Sequence, residues 1–116
     1  MKVKIKENEI TLHYTMRMYI IYENITGESI NFENMNSAKQ LTSLFLASIM
    51  ASAQKDKIDL KLDYQEFMDF VDDNGGYAIL NDFAIWFIDE LNNKYSLLKE
   101  EKEDDFPKNK RKKVKG

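Results

Sequence analysis

The sequence contains no cysteine, and its 116 residues include only one histidine and one proline. Without cysteine the chain has no disulfide, no cysteine-ligated zinc site and no thiol nucleophile. A single imidazole, that of His13, excludes any metal site built from several histidines. The sequence therefore offers few of the groups from which enzymes build active sites, and we expect neither a cofactor nor a bound metal.

Long apolar runs are also missing. The uncharged stretch of residues 41–54 is shorter than the ~20 residues of a membrane span. The start of the chain, Met1-Lys2-Val3-Lys4, does not resemble a secretory signal. We expect one domain, acting in the cytoplasm of the cell that makes it without membrane contact.

The net charge of −3 hides two unlike parts. Residues 99–116 carry eight Lys or Arg and five Asp or Glu, which leaves nine basic and fifteen acidic residues in 1–98. The acidic body argues against a nucleic-acid platform in that part of the chain. The tail, with almost no apolar residues and the only proline, Pro107, is predicted to be disordered.

The first fifteen residues alternate polar and apolar side chains, which predicts a β-hairpin. Strands are expected at residues 2–6 and 10–15, joined by a turn at Glu7-Asn8-Glu9. This register places His13 on the polar face, where we interpret it as a solvated strand residue rather than a general base.

A helical period follows from Met16, with Thr15 as the predicted N-cap and Gly27 as the C-terminal stop. Its predicted inner face consists of Met18, Ile21, Tyr22 and Ile25. Residues 28–33 are predicted to form a loop that brings Ile30 and Phe32 to the core.

The second predicted helix opens at Ser37, which has capping-box spacing to Gln40, or at Asn36 as an alternative cap. It contains the uncharged stretch 41–54, and its apolar residues occupy more than one face. A helix of this kind is either central to a core or covered by a partner. We keep both interpretations open. The predicted contact surface comprises Phe45, Leu46, Ile49, Met50 and Ala53.

A loop is predicted for residues 55–62, and Asp63 with Glu66 forms a capping box that opens the third helix. Gly75 and Gly76 separate it from the longest helix, Tyr77–Leu98, around which we expect the rest of the chain to pack. The predicted fold is α+β, with a short N-terminal hairpin on a bundle of about four helices. The domain spans 1–98 and the tail 99–116.

Catalytic patterns are weak. The sequence Asp72-Asp73-Asn74-Gly75-Gly76 looks superficially like a calcium loop, but Phe83 stands where the bidentate Glu belongs. Acidic pairs on the helices fall on polar faces, where solvated charge is the ordinary interpretation. We expect no enzyme activity.

The end of the chain carries a cluster of basic residues: Lys108, Lys110, Arg111, Lys112, Lys113 and Lys115. Such a cluster solvates a terminus or binds a polyanion. Without interleaved aromatic residues, any nucleic-acid contact would be electrostatic and independent of base sequence.

The segment Ile20–Ser29, with Tyr22-Glu23-Asn24-Ile25-Thr26-Gly27-Glu28-Ser29, resembles one found in tail assembly chaperones of long-tailed bacteriophages. That family often has an aromatic-Glu-x-x-Thr-Gly-Lys-Ser-like sequence here, and this chain has Glu28 where Lys is common. The order of a hairpin followed by helices, and Asp63-Tyr64-Gln65-Glu66-Phe67 before an acidic helix end, are also similar. The likeness covers roughly residues 2–98.

The resemblance implies a non-enzymatic protein that binds the tape-measure protein while the tail tube assembles, and that self-associates. It also implies a host bacterial cytoplasm and, in many such phages, a longer product made by ribosomal slippage, for which codons of Lys112-Lys113 are candidates. The alternative is a small regulatory or accessory protein that contacts nucleic acid through its basic end.

Overall fold

The computed structural model describes the backbone of residues 1–104 and the side chains of residues 1–94. Two strands and four helices follow one another in this part of the chain. They are β1 (Lys2–Ile5), β2 (Asn8–Thr11), α1 (Met16–Thr26), α2 (Ala38–Lys55), α3 (Tyr64–Asp73) and α4 (Tyr77–Asp104). The prediction of an α+β fold with an N-terminal hairpin and four helices is confirmed.

The hairpin is antiparallel, with Val3 opposite Ile10 and Ile5 opposite Asn8. Its turn lies at Lys6 and Glu7, which both have positive φ, 50° and 68°. Two such residues make a two-residue turn whose twist matches that of the strands. The turn therefore comes one residue earlier than predicted, and β2 ends at Thr11 instead of continuing to residue 15.

Helix α1 begins and ends where the sequence predicts. The hydroxyl of Thr15 accepts the N–H of Met18 at 3.2 Å, and Gly27, at φ 75°, donates its N–H to the carbonyl of Glu23 at 2.7 Å. Glycine adopts this left-handed backbone conformation without steric cost. Both predicted caps are confirmed.

Helix α2 is the centre of the fold, and it contacts α1, α3, α4 and β2. The expectation that the chain packs around the longest helix is therefore wrong: within the described residues, α4 makes its extensive contact with α2, whereas α2 contacts four elements. Three rings mark the junction of the helices: Phe45 stacks on Phe83 with centroids 4.6 Å apart and meets Phe67 edge-on at 5.4 Å. These three side chains have no exposed surface.

The start of α2 differs in one respect from the predicted capping box. Ser37 does accept the N–H of Gln40 at 3.2 Å. The Gln40 amide, however, turns to the preceding loop, accepting from the N–H of Asn31 at 3.0 Å and donating to the carbonyls of Asn31 and Asn34 at 2.9 and 3.1 Å. A buried glutamine thus holds the loop between α1 and α2 in place of capping the helix.

Helix α3 has the predicted capping box: Asp63 accepts the N–H of Glu66 at 2.7 Å, and the Glu66 carboxylate accepts the N–H of Asp63 at 3.0 Å. Helix α4 begins after two glycines with positive φ and is described as far as Asp104, beyond the predicted end at Leu98. The remainder of the predicted disordered tail, residues 105–116, lies outside the described residues.

Candidate partner-binding surface

The predicted contact surface on α2 is covered by the chain's own fold. Phe45, Leu46, Ile49 and Ala53 are all buried, and only Met50 is partly exposed. An apolar side chain enclosed in this way presents no free area to a partner. Of the two interpretations left open for this helix, the structure has burial within the monomer. Binding through these five residues stays a prediction that requires α2 to be uncovered.

Small side chains explain how a domain of this size surrounds a whole helix. Ala47, Ser48, Ala51 and Ser52 form a strip of α2 along which neighbouring elements approach closely. Along this strip the Ser48 hydroxyl lies 3.1 Å from the sulfur of Met18, and also donates to the carbonyl of Leu44 at 2.8 Å. The Ser48 hydroxyl is thus satisfied within its own helix, and its burial leaves no unpaired donor.

His13 lies just after β2 and is half-buried, not a solvated strand residue as predicted. Its backbone N–H donates to the Ser52 hydroxyl at 2.8 Å, and its Nε2 lies 2.9 Å from a carboxylate oxygen of Asp56. The serine oxygen is therefore held by the backbone of His13 and not by its ring, which is unlike the nucleophile–base contact of a hydrolase. These two contacts hold the end of the hairpin against the last turn of α2.

Two phenols form a second polar contact. The hydroxyls of Tyr14 and Tyr19 are hydrogen-bonded to each other, and both rings pack near Phe87, at 5.7 and 6.3 Å between centroids. Burial, assisted by the bond to Tyr14, raises the pKa of Tyr19 well above its ordinary value. Burial also raises the pKa of Tyr22. Tyr19 therefore stays protonated at neutral pH, and its ring joins α1 to α4 beside Phe87.

The Thr26-Gly27 segment that carries the resemblance has a local structural role. The Thr26 hydroxyl donates to the carbonyl of Tyr22 at 2.9 Å and lies 3.1 Å from the N–H of Glu28. Together with the left-handed Gly27, these bonds end α1 and turn the chain. The geometry accounts for the residue types at these positions without a ligand.

Exposed apolar side chains occur in three places. On α1, Met16 and Ile20 are exposed one turn apart, and Ile25, predicted on the inner face, is exposed as well. In the loop that follows α1, Phe32 is half-exposed and does not reach the core as predicted. A larger set belongs to α3 and α4: Tyr64, Met68, Tyr77, Ile85 and Ile88. The three on α4 have exposed fractions of 68%, 54% and 38% respectively. Tyr77, Ile85 and Ile88 are called the α4 strip below.

The α4 strip has a definite position around its helix. With a residue about every 100°, its three side chains fall within an arc of about 80°. One border of this arc meets the buried side of α4, formed by Leu80, Phe83, Ala84 and Phe87. The opposite border meets the exposed carboxylates Asp82 and Asp89. The exposed Asn81 also falls within the arc, so the strip is an uncovered, partly polar continuation of the core-facing side, edged by negative charge.

Charge is distributed unevenly between the two halves of the body. Residues 1–61 contain eight basic and seven acidic residues, whereas residues 62–93 contain eight acidic residues and no Lys or Arg. The acidic residues of the second segment are Asp63, Glu66, Asp69, Asp72, Asp73, Asp82, Asp89 and Glu90. Only Glu66 among these is in a salt bridge within the described part of the chain, with Lys6 at 3.0 Å. Helices α3 and α4 therefore combine exposed apolar groups with uncompensated negative charge.

The three- and four-residue apolar repeat of the longest helix predicts a buried face that includes Ile88, and it singles out neither Tyr77 nor Ile85. Two signals were available: Ile85 lies off the three- and four-residue repeat, and no basic residue occurs between Lys61 and Lys94. The predicted polyanion-contact residues, Lys108 to Lys115, lie outside the described residues.

Across the described residues, no group of three or more His, Asp or Glu side chains is arranged to hold a metal ion. None of the helices there combines the length and apolarity that crossing a membrane requires. Comparison of the chain with known protein families, with curated proteins and with solved structures finds no match.

Proposed function

We propose that the chain is a non-enzymatic tail assembly chaperone of a long-tailed bacteriophage or prophage, which binds the tape-measure protein during assembly of the tail tube. The family part of this proposal is supported by the resemblance of Ile20–Ser29 and of Asp63–Phe67. The order of a hairpin followed by helices, which the resemblance implies, is also the order of the fold.

The observation that carries the binding role is the α4 strip. Ile85 is half-exposed, Ile88 is more than a third exposed and Tyr77 is exposed over most of its surface. The three lie on one side of α4 without a covering element in the described residues. Exposed apolar areas on small proteins commonly contact another chain. A chaperone shelters a client's apolar surface with its own, and needs no reactive group to do so.

In this role the protein acts in the host bacterial cytoplasm and associates with further copies of itself. The experiment is co-expression of the full chain with the tape-measure protein encoded in the same genome. We expect the two to co-purify and the tape-measure protein to remain soluble. A tape-measure protein that is equally soluble without the chain, and that does not co-purify with it, would contradict the proposal.

The basic cluster at Lys108–Lys115 favours a second candidate, a regulatory or accessory protein that contacts nucleic acid electrostatically. Deletion of residues 107–116 separates the two. Loss of a salt-sensitive interaction with DNA or RNA supports the second candidate, whereas tape-measure binding by the truncated chain supports the chaperone.

A further inference from the structure

We infer that the α4 strip and its neighbouring carboxylates, Asp82 and Asp89, form a docking site for a cationic amphipathic helix of a partner protein. This inference rests on the proposed binding role and specifies the chemistry of the partner segment. The interaction is that of a helix laid along α4, with its apolar side on the strip and its basic side chains over the carboxylates.

The apolar half of the site is long enough for such a partner. Tyr77 and Ile88 are eleven residues apart on one helix, a distance of about 16 Å along its axis, or three turns. Ile85 lies between them on the same arc. A partner helix with apolar residues at three- and four-residue spacings would cover all three side chains at once, which a single small molecule would not do.

The two carboxylates favour a partner helix that carries positive charge. Asp82 and Asp89 are exposed, lie about two turns apart on the same side of α4, and border the strip at Ile85. Within the part of the chain that the structure describes, neither makes a salt bridge. Lysine or arginine residues two turns apart on a partner helix would lie opposite them. Acidic side chains at the same places would be repelled by the two carboxylates.

Other occupants fit less well. A second copy would bring its own acidic α3 and α4 against these carboxylates, which opposes association. The basic end of this chain, residues 107–116, supplies positive charge but contains Val114 as its only apolar residue besides Pro107. It cannot cover the three apolar side chains of the strip. A helix that is both basic and apolar satisfies both halves.

The test measures binding of a labelled leucine–lysine peptide of about 18 residues, with leucines at helical spacing, to the full chain by fluorescence anisotropy. Ile85→Ser combined with Ile88→Ser is expected to raise Kd by about tenfold or more, because two apolar contacts are lost. Asp82→Asn combined with Asp89→Asn should raise Kd and flatten its dependence on salt between about 0.05 and about 0.5 M.

The matched control is Met16→Ser combined with Ile20→Ser, which also removes two exposed apolar side chains, but from α1. This control is expected to leave Kd unchanged, and circular dichroism verifies that every variant is folded. A peptide in which glutamate replaces lysine should not bind. A peptide of lysine without leucine should bind at least tenfold more weakly, by the same argument from lost apolar contact.

Several results would overturn the inference. They are absence of peptide binding, equal weakening by the α1 control, and equal affinity for the peptide without leucine or for one copied from residues 107–116. A wild-type dimer that becomes monomeric with the Ile85 and Ile88 substitutions would assign the strip to a second copy. If the tape-measure protein co-purifies while one of these results is found, the inference fails and the proposed function remains. If the peptide binds as expected but the tape-measure protein does not co-purify, the proposed function fails and the inference remains.

Discussion

Helices α2 and α4 look alike in sequence but differ sharply in burial. Of the eighteen residues of α2, thirteen are buried. In the first eighteen residues of α4, 77–94, only Leu80, Phe83, Ala84 and Phe87 are buried. Both segments are rich in apolar residues at helical spacing, so apolar content alone does not tell a central helix from a peripheral one.

Side-chain size and charge account for the difference. The small residues of α2, among them Ala47, Ser48, Ala51 and Ser52, let neighbours approach from several sides, and the stretch 41–54 has no charge to keep in water. In α4, Asp82, Asp89 and Glu90 keep the outer side solvated. We therefore expect stability to depend mainly on α2, and we propose α4 as the site of recognition.

The largest expected effect comes from removing the aromatic ring of Phe45, at the centre of α2. Phe45→Ala should lower the free energy of unfolding by about 3–5 kcal/mol, because Phe45 is fully buried against Phe67 and Phe83. Ile85→Ala on α4, where the side chain is 54% exposed, should lower it by less than about 1 kcal/mol. Urea denaturation measures both, and similar losses would erase the contrast between the helices.

A smaller effect is expected from the polar contact that ties the hairpin to α2. Ser52→Ala should cost about 1–3 kcal/mol, because the buried hydroxyl that accepts the N–H of His13 is removed. Ser29→Ala, at an exposed position, should change stability by less than about 0.5 kcal/mol. Thermal unfolding of the two variants compares them, and a neutral Ser52→Ala would mean that this contact does not hold the hairpin.

The capping box should contribute less again, since it acts at the surface. Asp63→Ala is expected to cost about 1 kcal/mol, the usual value for an N-cap carboxylate. Asp69→Ala, on an exposed part of the same helix, serves as the control and should be close to neutral. Equal losses in chemical denaturation would indicate that helix propensity, and not the cap, sets the start of α3.

The smallest effect concerns pH. The backbone N–H of Asp63 and the ammonium group of Lys6 hold the pKa of Glu66 below its ordinary value. A carboxyl group whose pKa is lower in the folded state stabilises that state above the unfolded pKa, and this contribution is lost as pH falls through the folded value.

Wild type should therefore be slightly more stable than Glu66→Gln above about pH 5, with the difference vanishing in acid. Urea titrations across this range measure the difference. A gap that persists at acid pH would mean that the carboxylate charge is not its source.

Local signals in the sequence predicted much of the fold. Thr15, Gly27 and the Asp63–Glu66 pair mark helix ends through hydrogen bonds between near neighbours, so they are readable without tertiary structure. The burial of Leu46 and Ala53 was not readable in the same way, because it depends on which elements meet across the chain.

The candidate site was harder to predict for a related reason. A periodic pattern identifies the face of α4 that is apolar, but not where its coverage by α2 stops, and that limit separates Phe87 from Ile88. The acidic character of residues 62–93 is visible in the sequence once their charges are counted apart from those of residues 1–61, which nearly balance.

The central claim is that recognition takes place on α4 while α2 remains enclosed. Backbone amide NMR spectra of the full chain, recorded during titration with the leucine–lysine peptide, test it directly. We predict shifts concentrated in residues 77–91, with residues 41–53 unchanged. Shifts concentrated on α2, or on the Met16–Ile20 side of α1 with α4 unchanged, would contradict the account.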